Sequence, residues 1–270
     1  MKPILYIAVF ILLGCKKIYY YPDKPIEIVS GQKIAHRGGK TSTIRENTMT
    51  GIKSALKNME GVEVDVQISK NETIWLSHSE MIYNCGTDKN CFPETGDAFI
   101  KSITTCNGAD ISYTQLEDVF RFVRDSAPSK LIFIDLKGWI PCSINSLDID
   151  GMMRRESEII IDLANKYNIG KNIKFEIEPT TVLDYIHSKK SSLETYYISY
   201  GQFERSLLIA LKQGYSGLSY KNNVGEKLTK EKIDLLHRKG LKIVVWNLSN
   251  SSEIAELEAI GVDYIQYDLQ

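Results

Sequence analysis

The stretch GVEVDVQ, residues 61–67, alternates apolar and polar side chains along its whole length. Because successive side chains of a β-strand point to opposite faces, the valines lie on one face and Glu63 and Asp65 on the other. The valines are expected to pack against a layer of helices, which places both carboxylates in the interior of the sheet. Two interior carboxylates are costly unless a partner such as a bound cation compensates them.

Further short apolar segments occur along the chain, separated by stretches with helical periodicity. In one of these, Leu116, Val119, Phe120 and Val123 recur at the spacing of a single helix face. Eight strands that alternate with helices predict an α/β fold, a (β/α)8 TIM barrel. An open doubly wound sheet is the alternative, but no G-x-G-x-x-G motif follows a strand. The strands are predicted at residues 33–37, 62–67, 130–137, 173–178, 195–200, 216–220, 242–248 and 264–268.

The N-terminus differs from the rest of the chain. Lys2 precedes an apolar run that is about half as long as the roughly 20 residues of a membrane span. The run ends in Leu-Leu-Gly-Cys, which resembles the lipobox of bacterial lipoproteins; a plain secretory signal with an incidental cysteine is the alternative. We therefore expect a signal peptide over residues 1–15, lipidation at Cys15, a tether over residues 16–30 and one domain over residues 31–270.

This N-terminus predicts an exported bacterial lipoprotein. A lipid anchor at Cys15 would attach it to a membrane, facing the periplasm or the cell surface. The formal net charge of −1 provides no strong field that would attract nucleic acid. Any recognition of phosphate must therefore be local.

Four cysteines follow Cys15, in keeping with disulfides in an oxidising compartment. Three of them lie in a long segment after the second strand, residues 80–113, which is expected to form an ordered loop insertion over one end of the barrel. Four cysteines allow three pairings, and a bond between Cys85 and Cys91 is the local prediction. None of the spacings is typical of a zinc site.

Polar side chains gather at the C-terminal ends of the predicted strands, where barrels of this kind carry their active sites. His36 and Arg37 end the first strand, and His78 follows a short hairpin after the second. In KLIFIDLKG, the alternation places Asp135 and Lys137 on the interior face. The seventh strand ends in Trp246-Asn247 and the eighth in Asp268.

The residue types at these positions together favour one class of reaction. Three carboxylates suit a hard divalent cation such as Ca²⁺ or Mg²⁺. Two histidines suit a general acid and a general base, and an arginine with a lysine suits a phosphate. The set predicts metal-assisted hydrolysis of a phosphodiester.

These motifs resemble those of the glycerophosphodiester phosphodiesterases. The resemblance rests on HRGG, ENT, GVEVDVQISKNETIWLSH, the Asp-x-Lys of FIDLKG and the late VVWNL…GVDYIQYDL, and it extends over residues 33–268. It implies hydrolysis of glycerophosphodiesters to sn-glycerol 3-phosphate and an alcohol. The family usually has Glu where this chain has Asp135, so the metal would lie deeper or bind through a water. The resemblance implies His36 and His78 as the acid/base pair, Glu63, Asp65 and Asp135 as metal ligands, and Arg37, Lys137, Glu46 and Trp246 as substrate-binding or supporting residues.

Two alternatives remain. Asp-Leu-Lys and a small disulfide loop are also similar to the sphingomyelinase D-like phospholipases, which cleave choline phospholipids on the same barrel. The second alternative is a non-catalytic exported binding protein. Such a protein tends to lose a histidine or a carboxylate of the site, and this chain retains them all. Among the remaining polar residues, His187 and His237 are expected to be solvent-exposed, and Glu176 and Glu178 are expected not to be metal ligands.

Overall fold

The structure is a computed structural model that describes residues 21–24, 26–86, 90–138, 148–190, 192–248 and 250–269. The predicted signal peptide and its Cys15 lie outside the described residues, and so does Cys142. Within the described ranges, no helix is long and apolar enough to cross a membrane.

Eight parallel strands form a closed barrel. They are hydrogen-bonded in the order β1-β2-β6-β7-β8-β9-β10-β11, and pairing between β11 and β1 closes the ring. β3 pairs antiparallel with β2, and β4 with β5 forms a separate hairpin. The strands are β1 (Gln32–Ala35), β2 (Gly61–Ile68), β3 (Ile74–Leu76), β4 (Thr105–Cys106), β5 (Ala109–Asp110), β6 (Leu131–Leu136), β7 (Ile173–Ile177), β8 (Glu194–Ser199), β9 (Gly217–Lys221), β10 (Lys242–Trp246) and β11 (Tyr264–Tyr267).

Helices follow most of these strands and cover the outside of the barrel. The side chains of Thr48, Asp148, Thr229 and Asn250 cap the N-termini of four of them by accepting backbone N–H groups. The helices are α1 (Met49–Ala55), α2 (Asp97–Ser102), α3 (Leu116–Ser126), α4 (Ile149–Tyr167), α5 (Thr180–Lys189), α6 (Phe203–Gln213), α7 (Lys230–Arg238) and α8 (Ser251–Ile260). The predicted (β/α)8 TIM barrel is confirmed.

Two apolar layers result from the alternation along the strands. Val62, Val64 and Val66 of β2 face the helices and belong to the large core between helices and barrel. The N-terminal end of the barrel interior is filled by a smaller cluster that includes Phe133 and Tyr264, whose ring centroids lie 5.0 Å apart. This filling leaves the C-terminal end of the interior for polar side chains.

The segment between β3 and α3 has an apolar cluster of its own, which includes Trp75, Phe92 and Ile100. The described part of this segment is therefore a packed insertion, as predicted. The predicted Cys85–Cys91 disulfide is wrong: Cys85 is bonded to Cys106, with 5.5 Å between the Cα atoms. Cys91 is itself disulfide-bonded and fully buried. Cys85 pairs with a cysteine 21 residues away, so closeness in sequence did not decide the pairing.

His237 is also not where the sequence predicts it. It is 8% exposed on the inner face of α7, and its Nε2 lies 2.9 Å from Oδ2 of the fully buried Asp263. Asp263 also accepts the backbone N–H of Ile243. The charged neighbours of His237 in sequence point outward, whereas its own position shares the face of Ile233 and Leu236.

Candidate active site

A tight turn at the end of β1 sets the first two side chains of the site. The strand ends at Ala35, and His36–Gly38 form one turn of 3₁₀-helix with Arg37 at φ 51°. The next residue, Gly39, has φ 81°, and a Cβ there would lie 2.8 Å from Cβ of Ala55. Only glycine fits this position, which holds the turn against α1 and directs His36 and Arg37 toward the barrel mouth.

His36 lies between two carboxylates. Its Nδ1 is 2.9 Å from Oδ1 of Asp268, and its Nε2 is 3.9 Å from Oε2 of Glu63. A carboxylate on Nδ1 fixes the ring orientation and keeps the proton on that nitrogen. Nε2 is therefore the nitrogen that faces the centre of the site.

Arg37 is anchored at both ends. Its backbone N–H donates to Oε2 of Glu63 at 2.7 Å, and its Nη1 donates to Oε2 of Glu46 at 3.0 Å. Glu46 lies 3.6 Å from Nζ of Lys40 as well. The predicted supporting role of Glu46 therefore corresponds to a direct contact with the guanidinium.

Three carboxylates meet inside the barrel. Asp65 of β2 is in register with Asp135 of the neighbouring β6, and Glu63 lies two residues earlier on the same face of β2. One oxygen from each of the three lies within 4.8 Å of the others. Asn47 fixes Asp65 by donating to its Oδ2 at 2.8 Å and accepting its backbone N–H at 3.2 Å.

Lys137 bridges two of these carboxylates. Its Nζ lies 2.8 Å from Oδ1 of Asp65 and 2.5 Å from Oδ2 of Asp135. Burial lowers the pKa of its ammonium, but the charges of Asp135, Asp65 and Glu63 outweigh burial and raise the pKa above its ordinary value. Lys137 therefore keeps its positive charge at neutral pH.

One ammonium does not balance three carboxylates. Burial and the neighbouring charges of Asp65 and Asp135 hold the pKa of Glu63 well above its ordinary value. Burial likewise raises the pKa of Asp135. At Asp65, burial is outweighed by the combined effect of Lys137, His78 and the hydrogen bond from Asn47, and the pKa is lowered. The cluster thus has a deficit of positive charge in a set of hard oxygen donors, which fits a divalent cation.

His78 approaches the cluster from the β2–β3 hairpin. The backbone N–H of Ser77 donates to the carbonyl of Asp65 at 3.0 Å, which ties the hairpin end to β2. His78 is half-buried, and burial lowers the pKa of its imidazole despite the opposing charge of Asp65. A neutral imidazole thus lines the same cavity as His36 and the cluster.

These side chains line one cavity of about 300 Å³ at the C-terminal end of the barrel. The predicted residues His36, Arg37, Glu63, Asp65, His78, Asp135, Lys137 and Trp246 all line it, and Glu46 contacts it through Arg37.

Glu176 also faces this cavity, which the sequence placed within its reach without making it a metal ligand. Ser219 Oγ donates to it at 2.5 Å, Gln266 Nε2 donates to its other oxygen, and burial raises its pKa to about 8. It is held by hydrogen bonds at the floor of the cavity and does not belong to the carboxylate cluster.

Sequence reasoning noted Asn47 and Asp268 without giving them a role in the site, and it missed Tyr200 and Lys221. Asn47 stands within the ENT motif, and Asp268 follows the last strand. Tyr200 and Lys221 stand at the ends of β8 and β9 and line the same cavity. Their positions at strand ends were the available signal.

Comparison with known proteins relates this chain to an enzyme family. A family model described as the glycerophosphoryl diester phosphodiesterase family matches residues 36–269. A search of curated proteins finds no significant match.

Solved structures share the fold at low sequence identity. A glycerophosphodiester phosphodiesterase from Parabacteroides distasonis is 18% identical with a TM-score of 0.70, covering 89% of this chain and 94% of that one. A phosphodiesterase from Oleispira antarctica, in complex with the product sn-glycerol-3-phosphate, is 15% identical with a TM-score of 0.72, covering 88% and 92%. A glycerophosphodiester phosphodiesterase from Thermotoga maritima is 21% identical with a TM-score of 0.64, covering 89% of this chain and 94% of that one.

The family match extends from the first site residue, His36, to the last strand of the barrel. It therefore includes every element that contributes a side chain to the cavity. The chain belongs to the glycerophosphoryl diester phosphodiesterase family.

Proposed function

We propose that this protein hydrolyses glycerophosphodiesters to sn-glycerol 3-phosphate and an alcohol, with one Ca²⁺ or Mg²⁺ held by Glu63, Asp65 and Asp135. The observation that carries the proposal is the cluster of three carboxylates within 4.8 Å, flanked in the same cavity by two imidazoles. The related Oleispira antarctica structure with bound sn-glycerol-3-phosphate supports this product.

The bound cation would supply charge stabilisation to the phosphate oxygens. Arg37 and Lys137 add their own positive charges at the edge of the cluster. Glu63 holds the backbone of Arg37 and Glu46 holds its guanidinium, so the guanidinium is in place before the substrate binds. This preorganisation favours the transition state, in which negative charge accumulates on the phosphate.

His36 and His78 would divide the proton transfers. One imidazole takes a proton from the attacking water, and the other gives a proton to the leaving oxygen. Asp268 orients His36 so that Nε2 faces the reacting phosphate.

We further propose that the chain is exported and anchored through Cys15 by a lipid. The support is the sequence alone, an apolar run that ends in Leu-Leu-Gly-Cys. Mass spectrometry of the mature N-terminus is expected to show a diacylated Cys15. Wild-type protein that retains residues 1–14, or has an unmodified cysteine, would contradict lipidation.

³¹P NMR of the purified protein tests the reaction. We expect glycerol 3-phosphate from glycerophosphocholine or glycerophosphoglycerol when Ca²⁺ or Mg²⁺ is present, and none in EDTA. A cyclic phosphate formed only from lysophosphatidylcholine would favour the sphingomyelinase D-like alternative. Absence of turnover with either metal would favour a binding protein on the same barrel.

A further inference from the structure

Lys221 lies at the C-terminal end of β9 and lines the same cavity as the carboxylate cluster. The other cations of the cavity are paired, since Lys137 contacts Asp65 and Asp135, and Arg37 contacts Glu46. Among the residues that the structure describes, no carboxylate lies within 4.0 Å of the Lys221 ammonium. Lys221 is therefore a cation that a ligand can pair.

Two aromatic rings hold this ammonium. Nζ of Lys221 lies 5.1 Å from the ring centroid of Trp246 and 5.7 Å from that of Tyr200. The two rings meet edge to face, with centroids 6.1 Å apart. Such a pair of rings would also attract a quaternary ammonium. Because Lys221 already occupies the pair, a choline head group would meet a like charge there.

Trp246 adds a second donor. Its Nε1 is buried and has no acceptor within the described part of the chain. A buried N–H without an acceptor is unfavourable, so an oxygen of a ligand would stabilise it. Trp246 also lines the cavity, so this indole N–H and the Lys221 ammonium belong to neighbouring residues of the same wall.

Glu178 is a negative group close to the Tyr200 ring, whose hydroxyl it contacts at 3.5 Å. It is exposed to solvent, where water screens its charge. The hydrogen bond from the Tyr200 hydroxyl keeps the Glu178 carboxylate next to the tyrosine. Glu178 therefore leaves the Lys221 ammonium available to a ligand.

The barrel places Lys221 opposite the carboxylate cluster. In the ring order, β2 is the second strand and β9 the sixth of eight, so the two lie on opposite walls. Glu63 and Asp65 are on β2, and Lys221 is at the end of β9. A diester whose phosphate lies at the cluster can therefore direct the far end of its alcohol toward Lys221.

We propose that Lys221 and Trp246 make this enzyme prefer glycerophosphodiesters whose alcohol carries a second anionic group, a phosphate or a carboxylate, over those with a cationic head group. The proposal rests on the proposed function and names the substrate class of the same site.

The test compares kcat/KM for four diesters. They are glycerophosphocholine, glycerophosphoglycerol, glycerophosphoserine and a glycerophosphodiester with a second phosphate on its alcohol. We expect wild type to favour at least one anionic alcohol over choline by about tenfold. Lys221→Met is expected to reduce that ratio about tenfold, and Lys221→Arg to preserve it. If Lys221→Met lowers kcat/KM more for glycerophosphoserine, the preferred anion is a carboxylate. If it lowers kcat/KM more for the diester with a second phosphate, the preferred anion is a phosphate.

Lys212→Met, on the exposed side of α6, is the matched control and should leave all four values unchanged. An equal fall of kcat/KM for every diester with Lys221→Met would overturn the proposal, because Lys221 would then act on the scissile phosphate. Unchanged ratios would overturn it as well.

Calorimetry separates this proposal from the proposed function, since it needs no turnover. In EDTA, wild type should bind the diester with a second phosphate on its alcohol more tightly than glycerophosphocholine, and Lys221→Met should lose that preference. Equal affinities of wild type for the two ligands would refute the role of Lys221 whether or not any diester is hydrolysed.

Discussion

Replacement of Lys137 by methionine probes the charge balance of the carboxylate cluster. The lysine side chain is 12% exposed, and its ammonium contacts Asp65 at 2.8 Å and Asp135 at 2.5 Å. Methionine preserves most of the length and removes the charge. Removal of one partner of a buried ion pair costs about 3–5 kcal/mol of stability, because the other partner keeps an uncompensated charge. We expect a loss of about 3 kcal/mol at neutral pH, where protonation of one carboxylate limits the penalty.

A divalent cation should reverse this loss. At a concentration 100 times its Kd, a ligand that binds only the folded state stabilises it by about 2.7 kcal/mol. Without Lys137, the cation faces three carboxylates with no competing ammonium. We therefore expect Ca²⁺ or Mg²⁺ to stabilise Lys137→Met more than wild type.

Lys174→Met is the matched control. Lys174 also lies inside the barrel, and its ammonium contacts Glu194 at 2.7 Å, but the pair lies at the opposite, N-terminal end. This variant should lose stability without any difference between metal and EDTA. Urea unfolding followed by circular dichroism supplies the midpoint and slope for each variant. A loss below 1 kcal/mol for Lys137→Met in EDTA, or equal rescue of both variants by metal, would refute the reasoning.

Three further predictions concern the site and the insertion. His36→Ala and His78→Ala should each lower kcat by about 10²–10⁴, the range for a general acid or base, and activity within twofold of wild type in either variant would contradict its role. The double variant Cys85→Ser/Cys106→Ser should lose about 3 kcal/mol, because the disulfide closes a loop of 21 residues; an unchanged melting temperature would count against this value. Glu176 keeps its proton up to about pH 8 in the folded state, whereas the unfolded chain releases it near pH 4.5. Its contribution to stability is therefore present below pH 4.5 and lost as the pH rises to 8. Between pH 4.5 and pH 8, the free energy of unfolding of Glu176→Gln should therefore rise by more than about 1 kcal/mol relative to that of wild type. Parallel curves of unfolding free energy against pH for the two proteins would exclude the raised pKa of Glu176.

The sequence determined the barrel and most of the site. Each of the eight predicted strands agrees with an observed one to within a few residues, because an alternating or continuous apolar run is a local property of the chain. The same alternation assigned Glu63, Asp65 and Asp135 to the barrel interior. His36 and His78 were predicted to lie at the same end of the barrel, since parallel strands of a closed barrel all end at one face.

The tertiary structure decided which of these residues touch. Periodicity places Lys137 on the interior face, but only the register of β2 with β6 brings its ammonium between Asp65 and Asp135. The partner of Cys85 and the burial of His237 against Asp263 depend in the same way on segments distant in sequence. Local pattern determines the face of a strand or helix on which a side chain lies. Contacts between side chains depend on the packing of elements that the chain connects only through long loops and whole helices, and a single sequence does not encode that packing locally.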